Sequence, residues 1–380
     1  MLIYVICFGI SIIYAFMAER AFKDNLKKKG IMFSIISILV LSLLAAFRGM
    51  KVGKDTAGYI SIVFSYAVHS PTFINYWNDA SMVEIGYRIL CYLVSLFTNN
   101  LSVLFFISEL LIIVPIYISF YEMRNKLSIG IGMMCFCFLF FSHSLSMVRQ
   151  AIAISFLIYS FISFIEKKYK KTILLFIIAT TFHNSAFLFG ILYIIMYCGG
   201  YKINNKESLF IFSLYLIIVF FMIMYYENII KFLAYNVSII SVKYAEYFKS
   251  SNYNLNISNF LLLDTTFCLF LIFSLLVYLS KRKEKIEEET IYIYMFTIDL
   301  VTIFISSKMS LAFRFGLNFG IPAKLLFLPQ LDNIIKKEKY NKIIEMVLFI
   351  VILGGYWFYT EIVRNGYGIN PYVLTINKFV

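Results

Sequence analysis

Charge is scarce in this chain: Asp, Glu, Lys and Arg make up 14% of 380 residues, against about a quarter in soluble globular proteins. That excludes a soluble enzyme exposed on all sides, a disordered tail protein and a coiled coil. Proline is also rare, at five residues, so no Pro-rich linker architecture divides the chain. There are only three histidines, none within a helical turn of a second metal ligand, which argues against a zinc site. The six cysteines (Cys7, Cys91, Cys135, Cys137, Cys198 and Cys268) nearly all fall inside apolar runs, and Cys135-x-Cys137 suits neither zinc nor a redox pair. They read as small buried hydrophobes. The chain has no P-loop, no GxGxxG and no DxD pair. No metal and no cofactor are therefore expected, and nucleotide chemistry on the cytoplasmic side is disfavoured.

Apolar side chains are what the sequence has instead. They form 61% of the chain, with 41 Phe and 29 Tyr and a mean hydropathy of +0.83. Only helices or closed barrels satisfy their backbone in lipid, and a barrel would show alternating strands of about ten residues. Continuous apolar runs predict an all-α, polytopic transmembrane bundle. Runs able to cross about 30 Å of hydrocarbon are Leu2–Met17, Ile31–Phe47, Leu101–Tyr121, Leu127–Phe141, Leu145–Ile165, Ser208–Tyr225, Phe260–Leu279, Ile291–Ser306, Leu311–Leu331 and Ile343–Thr360. The first lacks a basic leader and a small-residue cleavage site, so it reads as a retained helix. With no internal repeat and no soluble segment, residues 1–380 read as one membrane domain.

Basic residues orient the bundle. Connectors 19–30, 122–127, 166–171, 199–207, 281–290 and 332–342 carry 21 Lys and Arg in 54 residues, whereas the alternate set carries 12 in about 125. The dense set is cytoplasmic, which puts both termini outside and makes 48–100 and 226–259 large outer connectors. Both are rich in Tyr, Phe and amphipathic pattern, as structured, membrane-hugging helices would be; Glu84–Phe97 is one. The +13 net charge is thereby explained by inner-leaflet lipid rather than nucleic acid. One stretch, 172–198, is flanked by basic connectors on both sides and interrupted at Thr181-Phe182-His183-Asn184-Ser185. It is expected to enter and return as a pair of half-helices with His183 near mid-membrane, where irregular backbone is tolerated only beside protein or a water-filled cavity.

The arginines are distributed differently from the lysines. Inside, Lys outnumbers Arg 18 to 3; outside the ratio is 7 to 5, with Arg48, Arg88, Arg149, Arg314 and Arg364. Guanidinium is suited to bidentate phosphate recognition and keeps its charge. At membrane depth it marks a functional path more often than simple anchoring. Outward-facing Arg48, Arg149 and Arg314 beside a polar-tipped re-entrant segment suit an anionic lipid headgroup, a pyrophosphate-linked lipid above all.

At these residues the chain resembles the EpsG-like family of Wzy-type bacterial polysaccharide polymerases. The matching segments are Phe47-Arg48-Gly49-Met50-Lys51-Val52-Gly53-Lys54-Asp55-Thr56 with Tyr59, Glu84-x-Gly86-Tyr87, Val148-Arg149-Gln150-Ala151-Ile152-Ala153 and Phe182-His183-Asn184-Ser185-Ala186, followed by Arg314 and Asn370-Pro371-Tyr372. Their order and spacing hold over most of the chain. One departure is Ile85, where the family often has Pro. The resemblance implies a GT-C-like, metal-independent membrane glycosyltransferase at the outer face of the bacterial plasma membrane. It would move a growing glycan from undecaprenyl pyrophosphate onto a lipid-linked repeat unit, with a flippase and a chain-length regulator as partners.

In such a reaction an acceptor hydroxyl attacks the anomeric carbon and expels pyrophosphate, so fixed cations at the leaving group stabilise the transition state. Arg149 and Arg314, with Arg48 as a third, fit that role. Asp55 reads equally as a general base or as a helix N-cap for the following segment. His183 reads as a base or pyrophosphate ligand, or as a tie between two half-helix ends. Gln150 suits a sugar or phosphate hydrogen bond, and Glu84 the substrate-binding set. Tyr59, Tyr66, Trp77 and Tyr87 suit sugar stacking or belt anchoring. Asp299 and Lys324, both mid-span, read as a structural pair or as a proton path. The competing functions are a lipid-linked oligosaccharide flippase or exporter, and a membrane acyltransferase acting on a surface glycan.

Overall fold

The computed structural model describes residues 1–197, 290–306, 313–335 and 342–375. The expected spans Ser208–Tyr225 and Phe260–Leu279, the connector 226–259 and the end of the 172–198 segment at Cys198 lie outside the described residues. Among the described residues the fold is all-helical, with no strand beyond one antiparallel bridge between Arg48 and Leu374. They gather into two compact units, Met1–Ala186 with Lys324–Val380, and Phe187–Ala323.

In the first unit α1 (Leu2–Lys23) and α2 (Lys27–Ala46) form a hairpin. Small residues let them approach: the Ser11 and Ser37 hydroxyls each donate to the other's carbonyl, at 2.9 and 2.8 Å, a packing that suits lipid-embedded helices. The connector 48–100 is folded, as its pattern predicts. A π-turn (Thr56–Ile60) leads into α3 (Ser61–His69), α4 (Phe73–Asp79) and α5 (Ile85–Ser95). Tyr76 and Tyr87 are wholly buried there, while Ile85, Ile89, Leu93 and Phe97 leave one apolar stripe exposed.

Next come α6 (Leu101–Glu122), α7 (Ile129–Ser146), α8 (Val148–Ile165) and α9 (Tyr169–Phe182). With α1 and α2, the helices α6, α7 and α8 are the five among the described residues that are long and apolar enough to cross a membrane. Pro115 lies inside α6 and cannot donate to the Leu111 carbonyl; Ser155 of α8 donates to it instead, at 3.1 Å. Buried Glu19 of α1 takes over the start of α7, accepting from Ser128 Oγ at 2.6 Å and from the Gly130 N–H at 3.1 Å. The boundary between α7 and α8 falls later than the apolar runs predict. Helical winding continues through a π-turn at Phe136–Phe140 and breaks at Met147 (φ −110°, ψ 58°), which places Arg149 in the first turn of α8.

The second unit holds α10 (Phe189–Tyr197), α11 (Thr290–Ser306) and the first half of α12 (Phe313–Ile335). In it Asp299 of α11 lies against Gly316 and Gly320 of α12, where an added Cβ would come within 3.0 and 2.0 Å of its carboxylate. The helix α13 (Lys342–Trp357) and the tail to Thr375 return to the first unit. There Trp357 packs edge-on against Tyr4 and Phe8 and donates to Ser142 Oγ at 3.0 Å.

Candidate active site

The motif that begins at Arg48 does not form a helix at first, and two contacts hold it in its loop. Gly53 sits at φ +89°, and a Cβ there would lie 2.3 Å from the Leu145 carbonyl, so only glycine fits against the end of α7. The Lys54 N–H then donates to Ser146 Oγ at 3.1 Å. This leaves Asp55 just before the π-turn and Tyr59 within it, beside the first turn of α8. Asp55 makes no capping hydrogen bond; its carboxylate accepts from the Tyr59 hydroxyl at 3.2 Å. The Arg149 guanidinium lies over the Tyr59 ring, 4.2 Å from its centroid.

Glu84 joins this pair to the break after α9. One carboxylate oxygen accepts from Arg149 Nη1, and the other lies 3.2 Å from His183 Nδ1. The three side chains are 12–16% exposed, buried enough to strengthen their interactions and still reachable. The geometry follows from two local features. Glu84 is extended (φ −66°, ψ 152°) and α5 begins at the next residue. The N–H of that residue has no intrahelical partner in any case, so Ile85 serves where proline would. Gly86 then rests directly on α9, where a Cβ would sit 2.7 Å from the Thr181 hydroxyl and 3.0 Å from its carbonyl carbon.

Burial acts to raise the Glu84 carboxyl, but the hydrogen bond with His183 and the charge of Arg149 outweigh it and hold its pKa down at about 2. Glu84 is thus an anion tied to two neighbours rather than a free substrate ligand. Burial also pushes the Tyr59 hydroxyl up to about 12, against the charge of Arg149, so it stays a donor.

The α9 helix packs antiparallel to α8, and the Ser160 hydroxyl donates to the Thr172 carbonyl at 2.9 Å. From there α9 runs about 15 Å to its end, and α8 runs back a similar distance to Arg149. His183 therefore comes level with the α8 N-terminus rather than halfway along the helices, because α9 is paired with α8 through Ser160 and Thr172 and runs on to Phe182. The stacked Phe156 and Phe182 rings, 6.4 Å apart, hold that end.

The other residues singled out in the sequence stand elsewhere. Gln150 is buried, 3% exposed, inside α8, and Tyr87 is fully buried beside Cys91. Arg48 is 1% exposed, with its guanidinium over the Phe105 ring at 4.0 Å. Arg314 stands in the first turn of α12 in the second unit, half-buried. Arg88 is held by Trp77, over its ring at 4.3 Å and on its carbonyl at 3.1 Å. What sequence reasoning misses is the pair of contact glycines, Gly53 and Gly86. Their spacing from Asp55 and from Glu84 was the available signal, but the surfaces they touch were not.

A bundle of apolar helices with a partly accessible Arg–Glu–His cluster at one helix end defines a multi-pass membrane protein equipped for charged, polar chemistry at its rim. Within that class the chain belongs to the EpsG family, whose sequence model matches residues 31–374. No curated protein and no solved structure matches it. Membership makes this an exopolysaccharide-related, polymerase-like membrane protein.

Proposed function

We propose that the protein is a polysaccharide polymerase of the outer face of the bacterial plasma membrane, transferring a growing glycan from undecaprenyl pyrophosphate onto a lipid-linked repeat unit. The observation that carries this reading is the Arg149–Glu84–His183 cluster, in which one carboxylate holds a permanent cation and an imidazole side by side. A carboxylate only accepts hydrogen bonds, so His183 Nδ1 carries the proton and Nε2 is left as a base. In the proposed step Nε2 takes the proton of the acceptor hydroxyl while its oxygen bonds to the anomeric carbon. The bond from that carbon to pyrophosphate breaks, and the electron pair leaves with the phosphate. Arg149, steadied by Glu84 and Tyr59, meets the charge that develops there. Glu84 also stabilises the imidazolium formed on His183, as orienting carboxylates do in other acid–base pairs. Asp55 and Gln150 are proposed as hydrogen-bond partners of the sugars.

The reaction needs neither nucleotide nor metal. Purified protein in detergent, supplied with lipid-linked repeat units and EDTA, should give a ladder of lengthened products. Transbilayer movement of the lipid in vesicles without a ladder would instead identify a flippase. A flippase and a chain-length regulator are the proposed cellular partners, and the basic connectors 166–171 and 332–342 are proposed to face the cytoplasm.

A further inference from the structure

Arg48 carries a charge that its surroundings do not meet. Among the described residues its Nε and Nη2 are buried without a hydrogen-bond partner, and no carboxylate lies within ion-pair distance. The carboxylate of Glu109 is its strongest charge partner, and it is held by the Ser144 hydroxyl at 2.9 and 3.2 Å rather than by Arg48. The Tyr4 and Tyr372 hydroxyls donate to the Ile369 and Leu44 carbonyls at 2.9 and 2.7 Å, and the buried Tyr87 hydroxyl makes no hydrogen bond to Arg48 either. A ring face offers some attraction, but an unpaired buried guanidinium is strongly unfavourable unless an anion meets it. The two open nitrogens form one edge of the guanidinium, the edge that grips a phosphate through two parallel hydrogen bonds.

The segment that covers Arg48 is the tail after α13. Leu374 bridges to Arg48 itself, the Gly49 N–H donates to the Val373 carbonyl at 2.6 Å, and the Thr375 N–H donates to the Phe47 carbonyl at 2.8 Å. Further back, the Gly53 N–H donates to the Gly368 carbonyl at 2.9 Å. Ile369 and Tyr372 anchor this strap, the Tyr372 ring packing edge-on against Tyr4 at 5.3 Å, while Pro371, Val373 and Leu374 are exposed. With no helix or sheet of its own, so short a strap opens more readily than the helices beneath it. Beneath the strap, buried Tyr87 lies within electrostatic reach of both Arg48 and Arg149.

We propose that Arg48 is an occluded subsite for a phosphate-type anion, roofed by the strap Gly368–Thr375, which lifts to admit it. Through Tyr87 the subsite adjoins the Arg149 cluster; assigning its anion to the lipid-linked donor rests on the polymerase reading, while inorganic pyrophosphate carries the same chemistry. The test is binding of inorganic pyrophosphate to the full-length protein in detergent. Pyrophosphate should raise the wild-type melting temperature, Arg48→Gln should weaken binding at least tenfold, and Arg48→Lys should weaken it less. Unchanged affinity in a folded Arg48→Gln protein overturns the subsite.

Should that variant fail to fold, Gly49→Ala decides the matter, since its added Cβ would lie 3.0 Å from the Val373 carbonyl and press the strap away. It should admit pyrophosphate at least tenfold faster than the wild type, read by stopped flow. An unchanged association rate overturns the roofing strap. Undecaprenyl pyrophosphate that displaces inorganic pyrophosphate from the wild type identifies a lipid headgroup site, and failure to displace identifies a site for the free anion. Arg48-dependent binding in a protein that makes no ladder keeps the subsite and removes the polymerase reading.

Discussion

Glu84 is shared between a guanidinium and an imidazole, and each half of that arrangement can be removed separately. Glu84→Gln keeps the shape and loses the charge, so Arg149 and His183 should both loosen and ladder formation should fall at least tenfold. The same variant has a pH consequence. The folded carboxyl is lowered from 4.5 to about 2, so its stabilisation is complete above pH 4.5 and is lost as pH falls from there through 2. Thermal melts of the wild type in detergent should decline over that window, and Glu84→Gln should flatten this part of the decline; an unchanged slope would remove Glu84 as its cause. Arg149→Ala should cost about 2–4 kcal/mol in the barrier, as loss of a preorganised donor does elsewhere, and so abolish visible polymer while protein remains in the membrane. Arg149→Lys keeps the charge but gives up the fork and the flat contact with Tyr59, so it should recover only part of the activity. His183→Gln separates proton transfer from helix-end support: wild-type ladders would leave His183 a structural tie. The arginines and His183 were legible as sequence outliers. The role of Glu84 was not, because its two partners stand 65 and 99 residues away.

Two elements set this geometry, and both rely on a glycine. Gly86 lets the first turn of α5 lie on Thr181 at the end of α9, which brings Glu84 to His183. Gly86→Val should push the elements apart and lower activity well before it unfolds the protein, read as a loss of product with a nearly unchanged melting temperature. Gly53→Ala is a different case, since φ +89° and the Leu145 carbonyl at 2.3 Å oppose it together. A loss of about 1–3 kcal/mol is expected from such strain, measurable as a lower melting temperature. Helix existence was readable from apolar runs, but helix ends were not. The break at Met147 and the π-turn before it come from how α7 packs, so the expected boundary at Phe141–Leu145 moved to Ser146–Val148. The pairing of α9 with α8 was likewise hidden, and with it the level of His183.

At the scale of the whole molecule, the same rarity of charge that excludes a soluble protein gives each remaining charge a readable position. The lysine-rich connectors are proposed to face the cytoplasm, and the prediction is direct. Single cysteines placed at Lys126 and at Thr98 should differ in labelling by a membrane-impermeant thiol reagent in whole cells, with only Thr98→Cys reacting. The reverse pattern would invert the topology and take the Arg149 cluster away from the outer face.

Sequence by itself determined the membrane class and, among the described residues, the existence of the long apolar helices, because a hydrocarbon slab about 30 Å thick imposes its demand on consecutive residues. It also determined the motif residues, whose chemical types are rare in such a chain. Tertiary structure alone decided which of them meet. Arg149 reaches Glu84 and His183, whereas Arg48, equally prominent in the sequence, is enclosed under a strap that begins more than 300 residues later. The reason is physical. Crossing lipid is a property of each segment taken singly, but pairing distant charges depends on how helices pack, on close approaches such as Gly86 on Thr181, and on where the chain's far end comes to rest.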